Sequence, residues 1–353
     1  MTPFDIGAIS DEGLRREYQH LQSRVRSVAR SLREGYGQGR KPIEFRYIND
    51  GSFNAYAGMD AAAFRIEINA SVPLFVTILF YRILSDRKFL PFLDTRGTRA
   101  SRMSLPAVVD PSNFDRRQTW HIALNGIRAF AAGTIADACS SIIAYHELGH
   151  IVSGHVEARA VLEGKHRVAE LLERAIVPAE IAERRQAWEY EADGVANTLI
   201  ARFIEELVEE CGKSERVAAV FARADGRHLE HTLAILVTAA FAFFSYVQGV
   251  RRKIRKVSSH PAPMVRAYYL KDMLFAIFRR KVEFDQRLFL ELLDKRMDEM
   301  IGVLVKLGLM DLDSYTDEYI DQIDDELARL AELQMRYRPV SAPWAWISWD
   351  TVG

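Results

Sequence analysis

The chain has 353 residues, 49% of them hydrophobic, enough to bury a large core as one big domain or two interlocked ones. Its 47 basic and 48 acidic residues leave a formal charge of −1, and with no finger, helix-turn-helix or aromatic-basic pattern this argues against nucleic acid as a partner. Two distant cysteines, Cys139 and Cys211, do not suggest a disulfide framework, and Met1–Asp5 lacks the basic and apolar stretches of a signal peptide, so the cytoplasm is the expected compartment.

In chain order, the segment Asp11–Gly35 predicts a charged helix with Leu14, Tyr18, Leu21, Val25, Val28 and Leu32 on one stripe. The alternating spacing of four and three is that of a coiled-coil seam, but the run is short and docking on the chain's own core is expected. Residues 44–69 are the one convincing strand region, with a turn near Gly58-Met59-Asp60. The apolar run Val72–Leu84 is too short to span a membrane and contains Arg82. The Pro-, Ser- and Arg-rich stretch Thr95–Arg117 reads as an irregular loop or a lid over a cleft.

The helical pattern then resumes and carries the most specific signal, His146-Glu147-Leu148-Gly149-His150. Two histidines four apart lie one above the other on a helix, so both imidazoles can reach one ion about 2.0–2.1 Å away. Glu147 is turned off that axis, where its carboxylate can hold the water at an open metal position. The preceding run Ile135–Tyr145 is mostly apolar and free of glycine and proline, so the motif belongs inside a buried helix. Two imidazoles and a carboxylate there are costly without partners, and Zn2+ removes that cost.

A catalytic zinc keeps three protein ligands and one open position, so a further donor is required. His155 is rotated off the ligand face if the helix continues through it. Glu157 returns to that face roughly 10 Å further along the axis. The extended motif with a third histidine at 156 is excluded by Val156. Downstream, Glu189 and Asp193 are again four apart and share a face, whereas Glu191 points elsewhere. Glu189 would complete a His-His-Glu site, and Asp193 would accept a hydrogen bond from His146 and fix its tautomer. In isolation the same segment would read as an acidic face paired with Arg184 and Arg185.

Beyond it, Thr232–Val250 is an uncharged apolar run followed by the basic cluster Arg251–Lys256. Its length fits a membrane span. The interval back to Glu189 offers no second span, so a span here would separate Glu189 from His260, and a buried core helix is expected, with peripheral or spanning membrane contact as the alternative. Near the end, Ile320, Ile323, Leu327 and Leu330 form a stripe on an acidic helix that could pair with the basic N-terminal helix within or between chains. The tail from Pro343 to Trp349 is aromatic and expected to tuck against the fold. Oligomeric state is left open.

The pairing of HExxH with a downstream ExxAD resembles the gluzincin metallopeptidases, particularly the group of the HtpX proteases and the CAAX prenyl endopeptidases. The short distance between the two motifs is also similar to phage-exclusion and repressor-cleaving peptidases. Asn54-Ala55-Tyr56-Ala57 is similar to that group's Asn-Ala-Phe-Ala element, and Ser259-His260-Pro261 with Arg266 to its Thr-His-Pro segment and arginine. The resemblance covers about residues 50–270. It implies a mainly α (α+β) zincin-like fold with a small sheet near 44–69. The sequence pattern itself divides the chain into an amphipathic helix over 1–40, a metallopeptidase domain over 41–305 and a helix with a Trp-rich tail over 306–353. It implies Zn2+ on His146, His150 and Glu189, Glu147 as general base, His260 as oxyanion donor, and Arg266 positioning His260 or binding substrate backbone. A protein or peptide substrate would lie extended along an edge strand around Phe64–Ile68. The rival readings are a non-catalytic zinc-stabilised regulatory or partner-binding protein and a membrane-associated quality-control protease.

Overall fold

The computed structural model describes residues 2–98, 124–169, 178–248, 260–310 and 316–347. Most of the expected loop at 95–117, the basic cluster Arg251–Lys256, Ser259 and Trp349 lie outside the described residues.

Helix α1 (Glu12–Tyr36) begins at Asp11, whose side chain accepts the Leu14 N–H at 2.8 Å. It buries Leu14, Tyr18, Leu21, Val25 and Ala29. The expected stripe holds through Val25 and then drifts, because a straight helix turns every 3.6 residues rather than 3.5. Ala29 takes the core position and Val28 and Leu32 sit at its margin. Tyr18 donates to the Ala70 carbonyl and Tyr47 to the Tyr18 carbonyl, which pins α1 to the sheet.

The sheet contains β1 (Ile43–Ile48), β2 (Ala55–Met59), β3 (Phe64–Asn69) and β4 (Arg167–Ala169), in the order β1-β3-β2-β4. β1 runs parallel to β3, and β2 is antiparallel to both β3 and β4. The strand Phe64–Ile68 is therefore interior, not the expected edge: Ile66 faces Phe45 on one side and Ala57 on the other, so its main-chain groups are already paired. On the β2 side of the sheet the edge belongs to β4.

Helix α2 (Ser71–Ser85) is buried along its whole length, Arg82 included. It packs on α3 (Gly126–Val152), the helix of the HExxH motif, which also lies against α1, β2 and β3. Ser153 and Gly154 end α3, and the chain restarts as α4 (His155–Glu163). Helix α5 (Ala179–Glu210) carries Glu189 and Asp193 and crosses α3. After α6 (Glu215–Phe221), α7 (His228–Gln248) packs against α5, α8 (Pro263–Phe278) and α9 (Gln286–Lys306). α3 and α7 are long and apolar enough to cross a membrane, yet 67% and 89% of their apolar windows are buried inside the fold.

The C-terminal helix α10 (Asp317–Ser341) packs on α5 and α8. The expected pairing of this acidic helix with α1 does not form within the described chain, because each turns its apolar stripe to a different part of the core. Tyr319, Ile323 and Leu330 are buried, and Ile320 is left exposed. The tail returns to α3: the Trp346 N–H donates to the Val152 carbonyl at 2.7 Å, and its ring meets Phe64 edge-on. One buried cluster runs from Ile9 to Trp346.

At the crossing of α3 and α5 a Cβ on Gly149 would stand 2.7 Å from the Ala192 carbonyl oxygen. Only hydrogen fits there, so the glycine of the motif sets the interhelical distance. We expect Gly149→Ala to cost about 1–3 kcal/mol in denaturant unfolding and to weaken zinc binding by pushing the helices apart; unchanged stability and metal affinity would contradict this account of the crossing.

Candidate metal centre

The fold brings His146 and His150 on α3 against Glu189 on α5, all three buried. The two Nε2 atoms are 3.1 Å apart, His146 Nε2 is 3.1 Å from Glu189 Oε2, and His150 Nε2 is 3.3 Å from Glu189 Oε1. Donors held about 2.0–2.1 Å from a tetrahedral ion are about 3.3 Å from one another, so these separations suit zinc without rearrangement. Among the described residues the group has three donors.

The hydrogen-bond network decides what these nitrogens carry. Asp193 Oδ1 lies 2.7 Å from His146 Nδ1, so the proton of that ring sits on Nδ1 and Nε2 keeps its lone pair. Arg266 grips the back of Asp193, with Nε 2.9 Å from Oδ2 and Nη2 2.7 Å from Oδ1. On the other side, His150 Nδ1 faces His155 Nδ1 at 3.0 Å, and His155 Nε2 faces Glu191 Oε2 at 3.0 Å. Glu191 can only accept when ionised, so His155 carries its proton on Nε2 and accepts from His150 Nδ1–H. Both metal-facing Nε2 atoms are then bare, and they converge with a carboxylate in a buried site. Three lone-pair donors facing one point need a cation. This is the donor arrangement of an HExxH-type gluzincin zinc site.

Burial and the nearby Arg266 charge oppose a charged His146, but Asp193 and Glu189 outweigh them and raise it to about 10. His150 is pushed down to about 3, chiefly by burial. Burial also opposes charge on Glu189, yet His260, His150 and His146 hold it well below the usual carboxylate range. Asp193 is likewise lowered against burial, by Arg266 and then His146.

Glu147 follows His146 on α3 and is fully buried beside the donor set. With this carboxylate next to three ligands, the arrangement is consistent with a catalytic zinc-protease site and makes the chain a metalloenzyme. His260 precedes α8, with Nε2 3.5 Å from Glu189 Oε1 and its side chain partly exposed. A small cavity between it and the donors is lined by His150, Arg159, Val168, Arg185, Trp188, Glu189 and His260. Arg266 lays its fork on Asp193, behind the ligand His146, and is buried there. Arg184 and Arg185 pair with Glu163 at 2.9 and 2.6 Å instead of with the acidic face of α5. Compared with known protein families, curated proteins and solved structures, the chain matches none, so the assignment rests on this geometry.

Two residues of the site were missed by periodicity. An unbroken helix would rotate His155 off the ligand face, but α3 stops at Val152, and Gly154, at φ 76°, turns the chain so that His155 opens α4 against His150. The pair Ser153-Gly154 was the available signal. Glu191 was assigned to another face of α5; that face meets His155.

The linked protons give a pH dependence for the metal-free protein. His146, raised to about 10, favours folding fully below its unfolded value of 6.5 and loses that contribution as pH rises toward 10. His150, lowered to about 3, and His231, a buried residue of α7 outside the centre that burial and then Arg296 lower to about 4, cost stability below 6.5 and nothing above it. The apoprotein should therefore melt highest near pH 6.5 and lower at pH 9, while the zinc-loaded protein, whose His146 Nε2 is held by metal, should lose much less over that interval. Thermal melts of both forms measure this, and an apoprotein that gains stability from pH 6.5 to 9 would contradict it.

Proposed function

We propose that this chain is a zinc-dependent endopeptidase acting on a protein or peptide substrate in the cytoplasm. The observation that carries the reading is Glu147 beside a three-donor site. A structural zinc closes all four positions and has no use for that acid. When bound by His146, His150 and Glu189, zinc supplies a Lewis acid and a water whose pKa falls to about 7.

The chain's own residues do the rest. Glu147 takes the proton of the attacking water on its carboxylate and passes it to the leaving amine. His260, the most exposed of the site residues, donates to the developing oxyanion from Nε2. Arg266 is a positioning residue that keeps Asp193 on His146. Val168 of β4 lines the cavity with His150 and His260, and among the described residues β4 pairs only with β2. Its outer edge is where an extended peptide would add as a strand, gaining affinity with little sequence specificity.

Burial of α7 inside the fold supports a core helix over a membrane span. Glu189 and His260 flank α7 in sequence and stand 3.5 Å apart, which a single span between them would forbid.

Glu147→Gln should keep zinc and lose proteolysis by about 10²–10⁴-fold. The measurement is a comparison of new protein N-termini in cells expressing the wild type or the variant, followed by cleavage of one confirmed substrate in vitro. Full proteolysis by Glu147→Gln would sink the mechanism. On the same substrate His260→Phe should lower kcat by about 10²–10³-fold with KM little changed; a change in KM alone would move His260 from the oxyanion to substrate binding.

A further inference from the structure

The two ligand histidines are supported in different ways. Behind His146 stands a carboxylate, Asp193, itself neutralised by Arg266. Behind His150 stands a second imidazole, and the carboxylate comes only after it. The second arm is built with care for its geometry. Gly154 has φ 76°, and a Cβ there would lie 2.6 Å from the Trp344 carbonyl carbon, so the turn that delivers His155 accepts only glycine. Trp188 stacks on the His155 ring at 5.2 Å and 14°, which fixes the ring plane. Glu191 is 2% exposed, so water does not compete for the carboxylate oxygen that meets His155.

We propose that His155 and Glu191 form a relay that fixes His150 in its Nδ1–H tautomer and thereby sets the zinc affinity of the site. The proposal rests on the zinc reading above. Its logic is a chain of hydrogen-bond roles. A carboxylate oxygen of Glu191 accepts, so His155 Nε2 donates; a neutral His155 ring then accepts at Nδ1; His150 Nδ1 donates to it; and Nε2, the atom turned to the metal, is left bare. If His155 held its proton on Nδ1, His150 Nδ1 would have to accept and its remaining proton would sit on Nε2, blocking the metal. A glutamine at 191 removes the obligation, because an amide can offer either a donor or an acceptor. Loss of such outer partners costs about 10–100-fold in metal affinity.

Zinc affinity by chelator competition, with apoprotein melting as a check on folding, tests the relay without reference to activity. His155→Phe and Glu191→Gln should each weaken zinc by about 10–100-fold. Because Glu191 acts through His155, adding Glu191→Gln to His155→Phe should change affinity less than about twofold further. The same factor for Glu191→Gln in both backgrounds would overturn the relay, as would wild-type affinity in the single variants. A wild type that binds no zinc would overturn the metal site itself, and the proposal with it. Should His155→Phe fail to fold, nitrogen-15 NMR of the wild-type zinc-loaded protein decides: the relay requires His155 as the Nε2–H tautomer and His150 with its proton on Nδ1, and His155 protonated on Nδ1 instead overturns it.

Discussion

The centre of this protein depends on how closely α3 and α5 cross. Gly149 presents hydrogen to the Ala192 backbone, and that approach brings an imidazole pair on one helix within 3.1–3.3 Å of a carboxylate on the other. Three carboxylates of α5, Glu189, Glu191 and Asp193, are buried in the process. Ionised groups removed from water cost several kcal/mol each unless they are paired. Here each has a specific counterpart: Asp193 has Arg266 and His146, Glu191 has His155, and Glu189 faces the two imidazoles with which it would share a metal. Cation binding is thus part of how the interior is electrically balanced as well as part of the chemistry.

The surroundings hold this crossing in place at the C-terminal end of α3, next to Gly149. Trp346 caps the Val152 carbonyl, the tail packs against Gly154 so closely that no side chain fits, and Glu163 on α4 gathers Arg159, Arg184 and Arg185. Residues near the C-terminus therefore help to fix a histidine pair in the middle of the chain. The sheet packs against the other flank of α3, with β4 as its short edge beside the cavity.

Much of the centre was legible because helical periodicity is a local property. His146 with His150, and Glu189 with Asp193, are pairs four apart, and such pairs share a face wherever the helix goes. The same rule failed at His155, because it assumes an unbroken helix and α3 breaks at Ser153-Gly154. Strand order was equally illegible: the pattern of Phe64–Asn69 marks a strand, but only pairing with β1 and β2 makes it interior. The stripe of α1 was legible up to Val25, after which the choice between Val28 and Ala29 fell to the difference between 3.5 and 3.6 residues per turn. The acidic and basic terminal helices looked complementary, yet long-range attraction between exposed charges is weak and screened, and apolar burial against separate surfaces prevailed.

By itself the sequence determined the chemical inventory: two imidazoles and an acid at helical spacing, a second acidic pair downstream, and enough apolar residues to bury them. Periodicity along one helix is sufficient for that, since neighbours three and four apart meet without reference to the rest of the chain. The tertiary structure decided which acid faces which ring, that Arg266 lies behind His146, that His155 and Glu191 stand behind His150, and which strand edge borders the cavity. Those are relations between separate elements, and hydrogen-bond direction in a buried site depends on the partner each atom meets across the gap, which no spacing within one element encodes.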